Sequence, residues 1–265
     1  VIDSETGSRI PRGWEVVDGT KMVEGWAKSV REPSLGITFA LIEPGTFEMG
    51  SPANEPGRNP DETQHTVTLT RPFYLGVTEV TEAQVQKYNR ESGGSELPFA
   101  SAKWPAARKF CLSIAGCDLP TEAQWEYAAR AGKKGRWWWG DSAEEGRGNA
   151  NVFDRSDQFR FADYFPGLAP VASFEPNPLG LHDMIGNAWE WVLDDYDVDY
   201  GPRSAVDPRI DLYCVKVARG GSFFSPQEQT RAACRLAWDT KSTINTEGQP
   251  EEQTGFRVAL TLPVP

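Results

Sequence analysis

Residues Gly180 to Trp191 read Gly-Leu-His-Asp-Met-Ile-Gly-Asn-Ala-Trp-Glu-Trp. The stretch carries little helical period, and what distinguishes it is oxygen. The carboxylates of Asp183 and Glu190 and the carbonyls of Gly186 and Ala188 fall within eight residues, a hard-oxygen set of the kind Ca2+ accepts. The same acids would equally cap turns, and the sequence leaves both readings open. A calcium ion here would be structural, neutralising packed carboxylates and tying loops together.

Outward from this stretch, the chain after Gly132 continues in Trp and Gly clusters, Pro-Asn turns and short apolar runs. Buried amides in such a loop-rich half need internal polar partners. Toward the N-terminus the text becomes regular. Thr81 stands three residues before Gln84, and Thr121 three before Gln124. That is the capping-box spacing, which satisfies first-turn amides and predicts helices near 81–91 and 121–131. Trp104-Pro105 puts proline where a helix tolerates it, with Ala106, Phe110 and Ile114 on one stripe, predicting a third helix. Ile37, Phe39 and Leu41 alternate with Thr38, Ala40 and Ile42, and a Pro44-Gly45 turn leads to Phe47 and Met49, the pattern of a hairpin. Short strands are expected at 66–69 and 73–77. Residues 1–35, punctuated by Pro11, Gly13, Gly19 and Pro33, read as an irregular arm packed on a single α+β domain of residues 36–265.

Composition narrows the function classes. Of 265 residues 39% are hydrophobic and 25% charged, with 25 Gly and 20 Pro, which is globular rather than disordered or fibrous. A net charge of −11 repels nucleic acid and anionic membrane, so neither is expected as a partner. No apolar run approaches the roughly 20 residues that span a bilayer, and a start at Val1 without an apolar leader is what a mature or trimmed product would show. With only His65 and His182, both read as structural, a three-histidine metal centre is impossible. Cys111, Cys117, Cys214 and Cys234 form no Cys-x-x-Cys pair, which removes a structural zinc site. Cys111/Cys117 and Cys214/Cys234 are the disulfide pairings nearest in sequence, with buried free thiols the alternative.

Further stretches, in order, are Gly45-Thr46-Phe47-Glu48-Met49-Gly50-Ser51, Thr78-Glu79-Val80-Thr81, Leu119 to Arg130, Trp139-Gly140-Asp141, Arg219-Gly220-Gly221-Ser222 and Gly255-Phe256-Arg257. With residues 180–191 they resemble the formylglycine-generating-enzyme (sulfatase-modifying factor) domain family. The resemblance implies that family's loop-rich α+β fold, related to C-type lectins, with little regular secondary structure. It implies a second calcium set, Asn151, the Val152 carbonyl, Asp163 and the Phe165 carbonyl, for which turn capping is again the alternative. Because the fold serves copper oxidases, iron sulfoxide synthases and non-catalytic binders alike, it does not fix an activity.

The departure from the family pattern is at the redox centre. The copper enzymes follow Arg-Gly-Gly-Ser with two cysteines, a soft-ligand pair suited to Cu(I). Here Ser225 and Thr230 stand at those positions, and hydroxyls cannot replace thiolates. The resemblance then falls to the family's copper-free branch, which matures pyoverdine siderophores. It implies a periplasmic oxidoreductase that takes a small-molecule or peptide-linked chromophore, oxidises dihydropyoverdine, and uses neither copper nor an organic cofactor. Glu228, on the loop that carries the family's catalytic pair, is the candidate general base, expected to be a carboxylate of raised pKa. Ser222 and Ser225 are expected to orient the substrate and Trp189 to offer an indole face, against the alternatives of a solvated loop carboxylate for Glu228 and core packing for Trp189. A Cys214–Cys234 bridge would brace this loop. Trp139 reads as core, while Trp137 and Trp138 could form an aromatic platform. The rival readings are a non-catalytic binding protein using the 222–250 region, and formylglycine generation by an aberrant site.

Overall fold

The computed structural model describes residues 1–142, 144–146, 148–152, 165–198, 200, 205–212, 215–239 and 253–263. In chain order the elements are β1 (Glu15–Lys21), β2 (Ala27–Glu32), β3 (Ile37–Ile42), β4 (Gly45–Met49), β5 (His65–Leu69), β6 (Phe73–Gly76), α1 (Glu82–Tyr88), α2 (Trp104–Ser113) and α3 (Glu122–Arg130). The loop-rich half follows with β7 (Trp189–Asp195), β8 (Val215–Arg219), β9 (Arg235–Asp239), β10 (Thr254–Phe256) and β11 (Ala259–Thr261). The strands form a five-stranded sheet in the order β1-β2-β3-β6-β11, a four-stranded sheet β10-β7-β8-β9 and the pair β4-β5. The architecture is the expected mixed α+β.

The N-terminal segment is more regular than its punctuation suggests. Residues 15–32 supply β1 and β2, and β2 pairs with β3 from Ser29 opposite Ala40 to Glu32 opposite Ile37. Ala27 and Val30 point into the core, and Gly25 and Gly36 sit in the flanking turns at positive φ, so the glycines bound the strands rather than break them. The hairpin expected at 37–49 does not form. Both edges of β3 are taken, by β2 and β6, while β4 pairs with β5, from Gly45 opposite Leu69 to Met49 opposite His65. Pro44-Gly45 therefore marks a switch between sheets. β3 is almost wholly buried, whereas only Met49 of β4 is buried.

Both capping boxes are present. Thr81 Oγ1 accepts from the Gln84 amide and Gln84 Oε1 from the Thr81 amide, and Thr121 and Gln124 repeat the exchange. The helix at Trp104-Pro105 has Pro at its first turn and buries Phe110. α3 is buried nearly along its whole length, Glu122, Glu126 and Arg130 included, so its charged residues need partners inside the protein. No helix among the described residues is long and apolar enough to cross a membrane. Cys111 and Cys117 are buried free thiols; burial pushes Cys117 up to about 12 and Cys111 well above the usual thiol range. Cys214, and with it any Cys214–Cys234 bridge, lies outside the described residues.

Candidate functional site

The loop that leaves β8 turns at Gly220 and Gly221, both at positive φ. A Cβ on Gly221 would come within 2.6 Å of Thr230 Cγ2, so only glycine lets the loop close against its own return. Two backbone bonds stitch it to the 183–190 stretch: the Gly186 amide to the Gly220 carbonyl, and the Phe223 amide to the Asn187 carbonyl, each 2.9 Å. Ser222 and Ser225 are fully buried and face one another. The Ser222 amide donates to Ser225 Oγ at 3.0 Å, the two hydroxyls are 3.3 Å apart, and Ser222 Oγ donates to Gln253 Oε1 at 2.7 Å.

Gln253 leads into β10, which runs parallel to β7 with Thr254 opposite Trp189. Paired residues of neighbouring strands project to the same face, so Trp189 and Thr254 stand side by side at the serine end of the sheet. Trp189 Nε1 and Thr254 Oγ1 are both buried and have no hydrogen-bond partner among the described residues. The expected indole stacking face is not available, because Trp189 is 1% exposed and its ring belongs to the core. Its contribution is the unspent N–H.

Glu228 differs from expectation as well. It lies on a 3-10 turn, Gln227–Thr230, and is exposed, with its side chain against Gly57 and its carboxylate bonded to none of the described residues. The burial that was to tune it as a base is missing. What holds the turn is its neighbour Arg231, fully buried, which donates to both oxygens of Glu62 (2.6 and 2.7 Å), to Glu55 (2.6 Å), and to the carbonyls of Gly57 and Glu228. The residues at the family's copper positions do not fit that ion. Ser225 is engaged with Ser222, and Thr230 Oγ1 donates to the Gln227 carbonyl and accepts from Trp137 Nε1. Trp137 is core at 1% exposure, stacked on Trp139 at 5.7 Å, and Trp138 and Trp139 are half-buried against the same cluster, so Trp139 packs as expected and no open aromatic platform is left at Trp137.

The oxygen-rich stretch is the better-built part of the site. A Cβ on Gly186 would stand 2.2 Å from the Asn151 carbonyl, so glycine lets 183–190 dock on Asn151. Asn187 is the hub: its amide donates to the Asn151 carbonyl, Oδ1 accepts from Asn151 Nδ2 and the Ala169 amide, and Nδ2 donates to Glu79 Oε1. Glu190 is held by Arg257 at 2.5 and 2.6 Å and by Trp125 Nε1 at 2.9 Å. Asp183 accepts the Ala172 amide on Oδ2, leaving Oδ1 unpartnered, and Glu79 Oε2 is likewise orphaned. Burial raises the pKa of Asp183; burial, then the charges of Asp183 and Glu190, hold Glu79 well above the carboxylate range.

These orphaned oxygens suit a cation, and Asn151, whose Nδ2 is spent on Gly167 and Asn187, would bring Oδ1 to it. Among the described residues no three His, Cys, Asp or Glu side chains are arranged to hold a metal. Calcium would therefore rest largely on carbonyls, at Gly186 and Ala188 in one set and at Val152 and Phe165 in the other. Asp163 lies outside the described residues. His182 is structural: its Nδ1 pairs with the Phe174 carbonyl, and its own carbonyl accepts from Arg257.

Sequence reasoning missed Glu79, Asn187 and the buried arginines Arg130, Arg219, Arg231, Arg235 and Arg257. Arg219 pairs with Glu126 and Glu122, and Arg235 with Glu122 at 2.7 and 3.1 Å. The i, i+4 spacing of Glu122, Glu126 and Arg130 puts them on one face of a short helix, the pattern of a solvated stripe as much as of a buried one, so no local signal marked them as buried.

Residues 29–262 match the sulfatase-modifying factor enzyme 1-like domain. The chain is 34% identical over 171 residues to the formylglycine-generating enzyme of Thermomonospora curvata, covering 61% of this chain and 55% of that protein. It is also 34% identical over 168 residues to the inactive C-alpha-formylglycine-generating enzyme 2 of Bos taurus, covering 62% and 50%. The chain thus spans about half the length of these curated relatives. Its fold superposes on PvdO from Pseudomonas aeruginosa with a TM-score of 0.74 at 23% identity, over 88% of this chain and 97% of that one. With the match running from β2 through β11, the chain belongs to the formylglycine-generating-enzyme (sulfatase-modifying factor) family.

Proposed function

We propose that this chain is a copper-independent oxidoreductase of the PvdO type, acting in the periplasm on a dihydropyoverdine-like chromophore, free or peptide-linked. The observation that carries this reading is the serine end of the second sheet, where hydroxyls replace the thiolate pair and two buried polar atoms, Trp189 Nε1 and Thr254 Oγ1, go unspent. Buried polar atoms without partners are costly unless a ligand or an ordered water satisfies them. Ser222 and Ser225 would orient the substrate, and Glu228, at the exposed rim, would accept the proton released as electrons leave. Oxidation removes two electrons and two protons from the dihydro ring, and dioxygen taking both to hydrogen peroxide balances the step. Calcium at the 183–190 and 151–165 sets would be structural, and no organic cofactor is invoked.

A specific observation favours a second reading, a binding module on the same scaffold: the one candidate base is exposed rather than set in a pocket. Incubating the protein with dihydropyoverdine in air separates the two. Turnover predicts an absorbance shift with matching peroxide, lowered roughly 10²–10⁴-fold in Glu228→Gln. Binding without turnover in the parent protein overturns the oxidoreductase reading, and equal activity of the Gln variant removes Glu228. Elemental analysis should find calcium and no stoichiometric copper, and EDTA should lower the melting temperature.

A further inference from the structure

The opposite end of β7 holds a cavity that the serine site does not use. Asp194 is five residues beyond Trp189, about 16 Å along the strand. Around it, separate segments form a cavity of about 240 Å³, lined by Met49, His65, Tyr200 and Ile210, by the acids Glu122, Asp194 and the exposed Asp207, and by Arg209. A cavity of about 150 Å³ takes a benzene ring, so this one admits a ring and a short polar arm.

Its polar groups are fixed by the fold and incompletely spent. Tyr200 is 7% exposed and its hydroxyl has no partner among the described residues. Burial holds that hydroxyl far above its usual titration range, so it stays a donor. The His65 ring packs on the Tyr200 ring at 4.5 Å, and its Nδ1 is paired with the Thr63 carbonyl at 2.8 Å. Asp207 takes the Thr70 amide and hydroxyl and faces no cation in any described ion pair. Asp194 accepts the amides of Glu122 and Ile210; burial and the Glu122 charge push it up to about 7, against the smaller opposing pull of Arg209. Two cations are already here, Arg209 in the lining and Arg235 over the Tyr200 ring at 4.0 Å, and each is paired, Arg209 with Asp211 and Arg235 with Glu122, which leaves Asp194 and Asp207 outside these pairs.

We infer that this cavity is a second, independent binding site for a small organic ammonium that also carries a hydrogen-bond acceptor, an aryl amino alcohol being the simplest example. The ammonium sits between Asp194 and Asp207, the acceptor takes the Tyr200 hydroxyl, and the ring lies on Met49 and Ile210.

The test is calorimetric titration of the intact protein with four probes of one shape: 2-amino-1-phenylethanol, 2-phenylethylamine, 1-phenyl-1,2-ethanediol and mandelate. The amino alcohol should bind best. Phenylethylamine, lacking the acceptor, should be about threefold to tenfold weaker, and the uncharged diol at least about tenfold weaker. Mandelate should not bind. Tyr200→Phe should erase the preference for the amino alcohol over phenylethylamine, and Asp207→Asn should weaken both amines while leaving the diol unchanged, with circular dichroism verifying each fold. Diol or mandelate binding as tightly as the amines overturns the cationic class. No binding by any probe at millimolar concentration, or amine binding untouched in both variants, overturns the site.

Discussion

The arginine-rich interior and the serine end of the second sheet are equally buried, yet they handle polarity in opposite ways. Arg219, Arg231, Arg235 and Arg257 are each desolvated and each grips a glutamate; within these four guanidiniums only Arg219 Nε goes without a partner. At the serine end the network of Ser222, Ser225 and Gln253 carries no formal charge, and two adjacent atoms remain unspent. A buried charge cannot be left alone, so the first region is locked by its own chemistry. A buried neutral group without a partner costs less, and that tolerance is what a binding site can exploit.

The contrast is broken most forcefully at Arg257. Its truncation to alanine leaves Glu190, Glu79 and Asp183 packed without a cation, and should cost about 3–5 kcal/mol; urea unfolding that shows a loss below about 1 kcal/mol would mean these carboxylates are compensated some other way. Next in size is a pH effect. Native Asp194 holds its proton up to about 7 against the ordinary 3.8, so the folded state binds that proton more tightly than the unfolded chain. Its contribution is most favourable below about pH 4, declines as pH rises to about 7 and is flat above, a fall on the order of 2–4 kcal/mol. Asp194→Asn should remove that decline from the stability-versus-pH curve; curves of parent and variant that stay parallel from pH 4 to 7 would refute it.

Within the neutral region the effects shrink. Ser222→Ala strands Gln253 Oε1 and should cost about 1–3 kcal/mol by thermal or urea unfolding, and a neutral result would place water on that oxygen already. Trp189→Phe deletes an N–H that has no partner, so stability should change by less than about 1 kcal/mol while ligand binding weakens. A larger destabilisation would show that the N–H is satisfied in solution.

Local chemistry made much of the fold legible. Thr81/Gln84 and Thr121/Gln124 each place the groups of a capping box three residues apart, and no distant contact is needed to realise it. The strands of residues 15–32 were hidden because their buried apolar positions, Trp26, Ala27 and Val30, lie among glycines and charges, and the pairing with β3 is set by tertiary contact. Pro44-Gly45 misled for the same reason: a turn reads alike whether it closes a hairpin or passes the chain to another sheet. Of the site, the serines and the oxygen-rich stretch were visible as motifs, while Asn187 and Glu79 were not, since their roles depend on which distant groups they meet.

By itself, then, the sequence determined the inventory: the helix starts, the glycines on which two loops close, an acidic chain with two histidines, and Ser225 and Thr230 at the positions where the family resemblance implies copper-binding thiolates. Those are properties of residue identity and short spacing. Only the tertiary structure decided which polar groups lose water and which find partners. It exposed Glu228, sank Trp189 into the core with Thr254 beside it, paired the arginines with glutamates from other elements, and gathered His65, Asp194, Tyr200 and Asp207 around one cavity. Desolvation is set by everything that packs around a group, and no local stretch of sequence specifies that.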